Sequence, residues 1–387
     1  MKKILLIAAS AMMLLASCTK VNVNYPDNGQ PQEIAMFSVA KSATKTPVAN
    51  ATFPTDYDMK VAAYLASGDL TANGNGDYFD ETLFTHGDNV WRGGKYWPVS
   101  TSTLNFLAVA VPKSSSSVYT GSVTDVTFGT AVASTPTPSA ATKAESYENF
   151  ASKVVVTFSE NETKKAEGQT PANFNQFDLM YAAGQGVHNE GGAYDNVRMT
   201  FKHALSWINF TVATNVSCTL KVNSIRLSKA SYGGTLTISN TDFASTDPTK
   251  VETGDYTVVW TEPTSADNVY VPGAEANSTV AIASELNVNT TQQPFGNGLL
   301  VVPVDYSTVR DGSRPTITIN YTMNQGGGNY TFERTIEIPQ IEWEYNKKYT
   351  YALTITLNEI KVEPLVGEWE PVSGINIDAD PDAVTES

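Results

Sequence analysis

The chain has 387 residues, with 25 Lys and Arg against 40 Asp and Glu, a formal net charge of −15 and a pI near 4.6. That balance argues against a nucleic-acid partner, because phosphate binding needs a basic face. A hydrophobic content of 41% with 17% charged residues excludes disorder throughout and allows sizeable cores.

The first element is an export signal. Lys2 and Lys3 form a basic start, residues 4–15 an apolar run broken by Ser10, and Ala16-Ser17 a small pair before Cys18. The run is too short to cross a bilayer, which takes roughly 20 apolar residues. Leu15-Ala16-Ser17-Cys18 resembles a bacterial lipobox, in which Cys18 is lipid-modified and becomes the new N-terminus. Its acyl chains hold the protein to a membrane without a transmembrane helix. Residues 1–17 are therefore assigned to the signal peptide.

Next comes an apolar strand at residues 34–40, with Ile34, Met36, Phe37 and Val39, followed by a polar stretch holding Lys41 and Lys45. Residues 18–45 are assigned to a leader segment. Trp91, Tyr96 and Trp97 then cluster; exposed they would stack on sugar rings, buried they would fill a core. The continuous apolar run 104–111, covered on both faces, favours the core for Trp97. Residues 133–146, rich in Ser, Thr, Ala and Pro, form a surface loop. The glycine-rich stretches 72–78 and 184–196 lack the strand–helix setting of a phosphate loop and read as turns.

Short alternating runs rich in Val, Thr, Ile and Tyr follow one another at 154–158, 207–212, 220–227, 256–260, 316–321, 330–338 and 349–357. The slip in "TLKVNSIRL" places a bulge near Ser224, and "NQGGGN" at 324–329 is a hairpin loop. Such a pattern predicts an all-β chain of two β-sandwich domains in series, 46–190 and 191–387, with the boundary in 184–196. Cys218 is expected to be a small buried hydrophobe, and with Cys18 acylated no intramolecular disulfide remains.

The chemistry of a catalyst is missing. His86, His188 and His203 are scattered, without a partner at zinc spacing. No G-x-S-x-G elbow marks a nucleophile. Asp378, Asp380 and Asp382 begin like a calcium loop, but Ala383 stands where its glycine belongs. The sequence nominates no enzyme activity, cofactor or metal, and the acidic end reads as a solvated tail.

One family likeness runs through the chain in order. "YWPVSTSTLNFLAVAVP" (96–112), "DLMYA" (178–182), "MTFKHALSWINFTV" (199–212), "YGGTLTI" from Tyr232, "LLVVPV" from Leu299 and "WEYNKKYTYALTITLNEIKVEPLVGEW" (343–369) resemble the fimbrillin family, the subunits of type V pili. Trp207 stands where a smaller or charged residue is common, and Asn346 where glycine is usual. The resemblance implies transthyretin-like sandwiches, export as a lipoprotein, removal of an N-terminal strand by a maturation protease, and polymerisation with other pilus subunits by strand exchange. It implies an outer-membrane precursor and a mature cell-surface fimbrium. Processing falls between Lys45 and Thr46, with Lys41 as the other basic candidate. His203 becomes a structural histidine between packed strands. The donor strand is expected in 365–377, with Trp369, Ile375 and Ile377 on one face and Pro371 and Gly374 preventing continuous pairing within the chain. Two alternatives stand: an uncleaved anchor subunit, since Lys45 occupies the place of the usual Arg, and a glycan-binding lipoprotein using Trp91 or Tyr96.

Overall fold

In this computed structural model the described residues are 32–38, 53, 57–68, 77–87, 90–98, 102–113, 119–120, 122–128, 154–159, 175–188, 197–239, 247–253, 256–266, 269–271, 286–356 and 359–369. The chain begins with β1 (Glu33–Ser38), β2 (Tyr57–Gly68), β3 (Asp77–Gly87), β4 (Val90–Tyr96) and β5 (Ser102–Pro112). There follow β6 (Tyr119–Thr120), β7 (Ser122–Phe128), β8 (Val154–Ser159), β9 (Asn175–Gln176), β10 (Met180–His188) and β11 (Val197–His203). Then come β12 (Ser206–Thr214), β13 (Thr219–Ser228), β14 (Ala230–Ser239), the single described helix α1 (Pro248–Thr253), β15 (Thr257–Ala266) and β16 (Val269–Tyr270). The last are β17 (Leu286–Val288), β18 (Gln293–Pro294), β19 (Leu299–Val301), β20 (Thr316–Gln325), β21 (Gly328–Glu337), β22 (Lys347–Ile355) and β23 (Ile360–Glu368).

The expected all-β class is what the chain adopts. Seven strands close a barrel in the order β1-β11-β10-β5-β2-β3-β4. β5 is its spine, paired with β2 and β10, and residues 103–111 are buried without a break. That is the burial expected of a strand covered on both faces. Two further sheets, β18-β12-β22-β23 with β19 and β16-β13-β20-β21 with β17, enclose a second core. β12 and β22 are its Val-, Phe- and Tyr-rich parallel pair, registered from Trp207↔Lys348 to Thr214↔Ile355.

Local features follow from sequence. In β13, Val222 pairs with Tyr321 and Ser224 with Asn320, so Asn223 is the extra residue of a bulge, and Leu220, Val222, Ile225 and Leu227 all reach the core. The 324–329 loop is tighter than expected. Gln325 pairs with Gly328, and Gly326 and Gly327 turn alone with φ of 63° and 82°, a conformation open to glycine.

Several readings need correction. Gly184 and Gly186 lie in β10, not in a turn. A Cβ on Gly186 would stand 2.4 Å from the Trp97 ring and 3.0 Å from Val197, so glycine admits that indole to the core. The expected break at 184–196 spans the connection of β10 to β11, which pair antiparallel. The chain leaves the barrel between His203 and Ser206, and β7 and β8 join β14 and β15 in one sheet, so early and late strands interleave. Cys218 is half-buried at the edge of the second core, just ahead of β13. Residues 365–368 are not free either: β23 pairs with β22 as far as Lys347↔Glu368.

Candidate functional site

The seat of β1 is the feature with most bearing on function. β1 closes the barrel by pairing on both edges. It runs parallel to β11, with Met36↔Val197 and Phe37↔Arg198, and antiparallel to β4, with Ala35↔Arg92 and Met36↔Trp91. The Trp97 N–H donates to the Gln32 carbonyl at 2.8 Å, extending the ladder. Ile34 and Met36 are fully buried, Ala35 nearly so, and Phe37 is half-buried. Glu33 fixes the register from outside the core. Its Oε1 accepts the Gly94 N–H at 2.9 Å, and Arg92 Nε lies 3.5 Å from Oε2. That ion pair is half exposed and contributes little stability. Val39, Lys41, Lys45, Thr46 and Cys18 lie outside the described residues.

The lining of this seat is aromatic. Trp91 is buried opposite Met36, with Phe53 edge-on at 5.2 Å and His86 at 4.5 Å. Trp91 therefore offers no face to a sugar, which corrects the exposed reading. Trp97 is likewise in the core, and Tyr96 is 48% exposed without a second exposed ring from that cluster.

The chain's last described residue comes back to the same core. Trp369 is 2% exposed, and its indole stacks on His203 at 3.7 Å between centroids and 9° between planes. His203 is fully buried and shares a 2.8 Å hydrogen bond between Nδ1 and Asp178 Oδ2. The Asp178 N–H in turn donates to the Tyr57 hydroxyl at 3.0 Å. Nothing about this group reaches solvent, as a structural histidine requires. Trp369 is thus anchored within its own chain by ring stacking and by its N–H to the Asn346 carbonyl at 3.1 Å. Ile375 and Ile377 lie outside the described residues.

Both departures from the family pattern have local reasons. Asn346 holds φ of 57°, a left-handed conformation that glycine and asparagine tolerate best. Trp207 donates from Nε1 to the Asn297 carbonyl at 3.0 Å and carries Lys348 Nζ over its ring at 4.2 Å. Sequence reading missed Gln176, which bolts the two cores together. Its amide donates to the Gly298 carbonyl at 3.0 Å and accepts the Leu300 N–H at 2.7 Å. A lone Gln in the two-residue strand β9 gives no signal for that. Among the described residues, no group of three or more His, Cys, Asp and Glu could hold a metal ion.

The fimbrillin-like family profile matches residues 44–369. No curated protein matches. A fimbrial protein from Bacteroides vulgatus is similar at 14% identity and a TM-score of 0.49, covering 88% of this chain and 100% of that one. A putative cell adhesion protein from Bacteroides ovatus aligns at 12% identity and 0.42, over 88% and 99%. The tip fimbrial protein Mfa3 of Porphyromonas gingivalis, with a C-terminal truncation, aligns at 11% and 0.35, over 87% and 100%.

Proposed function

This chain belongs to the fimbrillin-like family, and from that membership we propose that it is a structural subunit of a surface fimbria, exported as a lipoprotein and polymerised by strand exchange. On this reading Cys18 tethers the precursor to the outer membrane, a protease cuts after Lys45, and β1 leaves. The observation that carries it is the position of β1. One short strand, ahead of the proposed cut, closes the barrel with both edges paired and Ile34 and Met36 fully buried. Its departure would leave β4 and β11 as unpaired edges beside an apolar groove, an arrangement that takes up an added strand. The family match begins at residue 44, beside that cut. The donor is assigned to the residues after Trp369, with Ile375 and Ile377 on one face. Head-to-tail contacts of this kind do not close and so build a filament. The two cores are read as the transthyretin-like sandwiches of the family.

N-terminal sequencing of the form assembled on the cell surface tests this. A start at Thr46 is the expected result. An intact, acylated Cys18 on assembled fibres would make the chain an uncleaved anchor, and absence from fibres altogether would end the proposal.

A further inference from the structure

Two clefts open at one end of the second core, away from the leader seat. The larger, about 720 Å³, lies among the β12–β13 loop, the β17–β18 loop and the tip of the β20–β21 hairpin. Ser217, Thr219, Asn289, Thr290, Asn324 and Gln325 give it hydroxyls and amides, and none of its lining residues is charged. The smaller, about 330 Å³, continues from Gln325 over β21, where Tyr330, Phe332 and Arg334 line it.

These walls are preorganised. The Thr214 N–H donates to the Asn289 carbonyl at 2.8 Å, tying two of the loops together. The Thr291 N–H donates to Asn289 Oδ1 at 2.8 Å, and Asn324 Nδ2 to Asn329 Oδ1 at 2.8 Å across the hairpin. In the smaller cleft Phe332 stacks on the buried Tyr321 at 5.5 Å. Tyr330, two pairs further along the register, stays 55% exposed. Its ring is backed by Gly328, where a side chain would strike it. Arg334 is exposed, and no carboxylate lines its cleft.

We propose that this end of the molecule binds an acidic oligosaccharide. Tyr330 presents an aromatic face on which the apolar face of a pyranose stacks. Arg334 supplies a guanidinium fork for the carboxylate of a uronic acid. The amides and hydroxyls from Gln325 to Asn289 offer fixed donors and acceptors to the hydroxyls of neighbouring neutral sugars. A cation is disfavoured, since no carboxylate lines either cleft, and a single guanidinium makes no track for a phosphate backbone. In a chain of net charge −15, an anion is accepted only where carboxylates are kept away, and these walls have none. The inference is independent of maturation and polymerisation and holds equally for an uncleaved chain.

Calorimetric titration of the exported, detergent-solubilised chain with a galacturonic acid hexamer and its neutral methyl ester tests it. The acid should bind saturably and the ester about tenfold more weakly, with Arg334→Gln erasing that difference. Tyr330→Ala should weaken both ligands by a similar factor of about ten. Both side chains are exposed, so urea midpoints should be unchanged, which separates lost binding from lost folding. Cys218 lines the larger cleft, and its alkylation rate should fall when the acid hexamer is bound. No saturable binding of the acid, equal affinity for acid and ester, or binding indifferent to both substitutions would each overturn the proposal.

Discussion

His203 and Trp369 lie ring on ring, 3.7 Å apart and nearly parallel, although 166 residues separate them (369 − 203 = 166). The contact fastens the end of the described chain to the first core, with Trp207 angled against the same indole at 5.5 Å. Trp369→Ala should therefore cost about 3–5 kcal/mol, the range for emptying a large aromatic site. Trp369→Phe, which keeps a ring on His203, should cost clearly less. Urea denaturation measures both, and an alanine variant as stable as wild type would mean that the tail is not anchored there.

Much of this was legible in sequence. Alternation located half of the long strands, β12, β13, β15 and β20 to β22, but neither β2 nor β3, and the slip at Ser224 located the bulge, because period-two burial leaves a mark that one extra residue visibly breaks. Trp97 was assigned to the core from the apolar run that follows it. What failed shares one cause: contacts between residues far apart in sequence. Gly186 resembles a turn glycine until Trp97, 89 residues earlier (186 − 97 = 89), is seen to need its space. Gln176 carries no pattern at all, since its partners are the backbone of residues 298 and 300.

Gly186→Ala sets a methyl group against the Trp97 ring and Val197, and overpacking of this kind costs about 1–3 kcal/mol. The cost should shrink in a Trp97→Phe background, where the smaller ring leaves room. A double-mutant cycle by chemical denaturation checks this. Additive losses would show that the clash is relieved elsewhere.

Asn346 sits at φ of 57° and gives its N–H to the Leu205 carbonyl at 3.0 Å. Asn346→Gly keeps that backbone bond and suits the dihedral, so stability should change by only a few tenths of a kcal/mol. Asn346→Val keeps the bond but forces a β-branched side chain into the left-handed region, at a cost of about 1–3 kcal/mol. Equal melting temperatures for the two variants would refute the backbone argument.

Acid should destabilise the barrel through His86. Burial, helped by the Lys113 charge and opposed by Asp58, holds its imidazole below the usual 6.5. The unfolded chain then takes up the proton first as pH falls. Stability that is whole above pH 6.5 is lost as pH drops through that value toward the folded one. The neighbouring Asp58 carboxyl is pushed up by its own burial, against Lys113 and the His86 backbone N–H. Its sign is opposite: the folded chain binds that proton first, so its ionisation lowers stability as pH rises from 3.8. The two effects are opposite in sign, and the loss of stability that sets in as pH falls through 6.5 is the histidine's. His86→Asn should flatten the stability profile there, read from urea midpoints at several pH values. An unchanged slope would assign the acid sensitivity to another group.

The leader strand and the tail make the strongest prediction together. A chain prepared to start at Thr46 lacks β1, so Met36 and Ile34 no longer cover Trp91 and the core around it, and the edges of β4 and β11 lose their hydrogen-bonded partner. Exposed apolar surface and open edges should make this form bind hydrophobic dyes and associate. A synthetic peptide spanning residues 32–40 should suppress both, because it restores the pairing from outside. The tail supplies the natural replacement on the proposed mechanism. At about 3.3 Å per residue, the 18 residues after Trp369 (387 − 369 = 18) can extend roughly 60 Å, enough to reach a neighbouring subunit. Deleting residues 372–387 spares Trp369 and its stack on His203, so the truncated chain should fold, be exported and be processed, yet remain monomeric. Mixed with intact subunits it should cap fibres, shortening them in proportion to its share. Fibres of normal length from the deleted chain alone would place the donor elsewhere in the molecule.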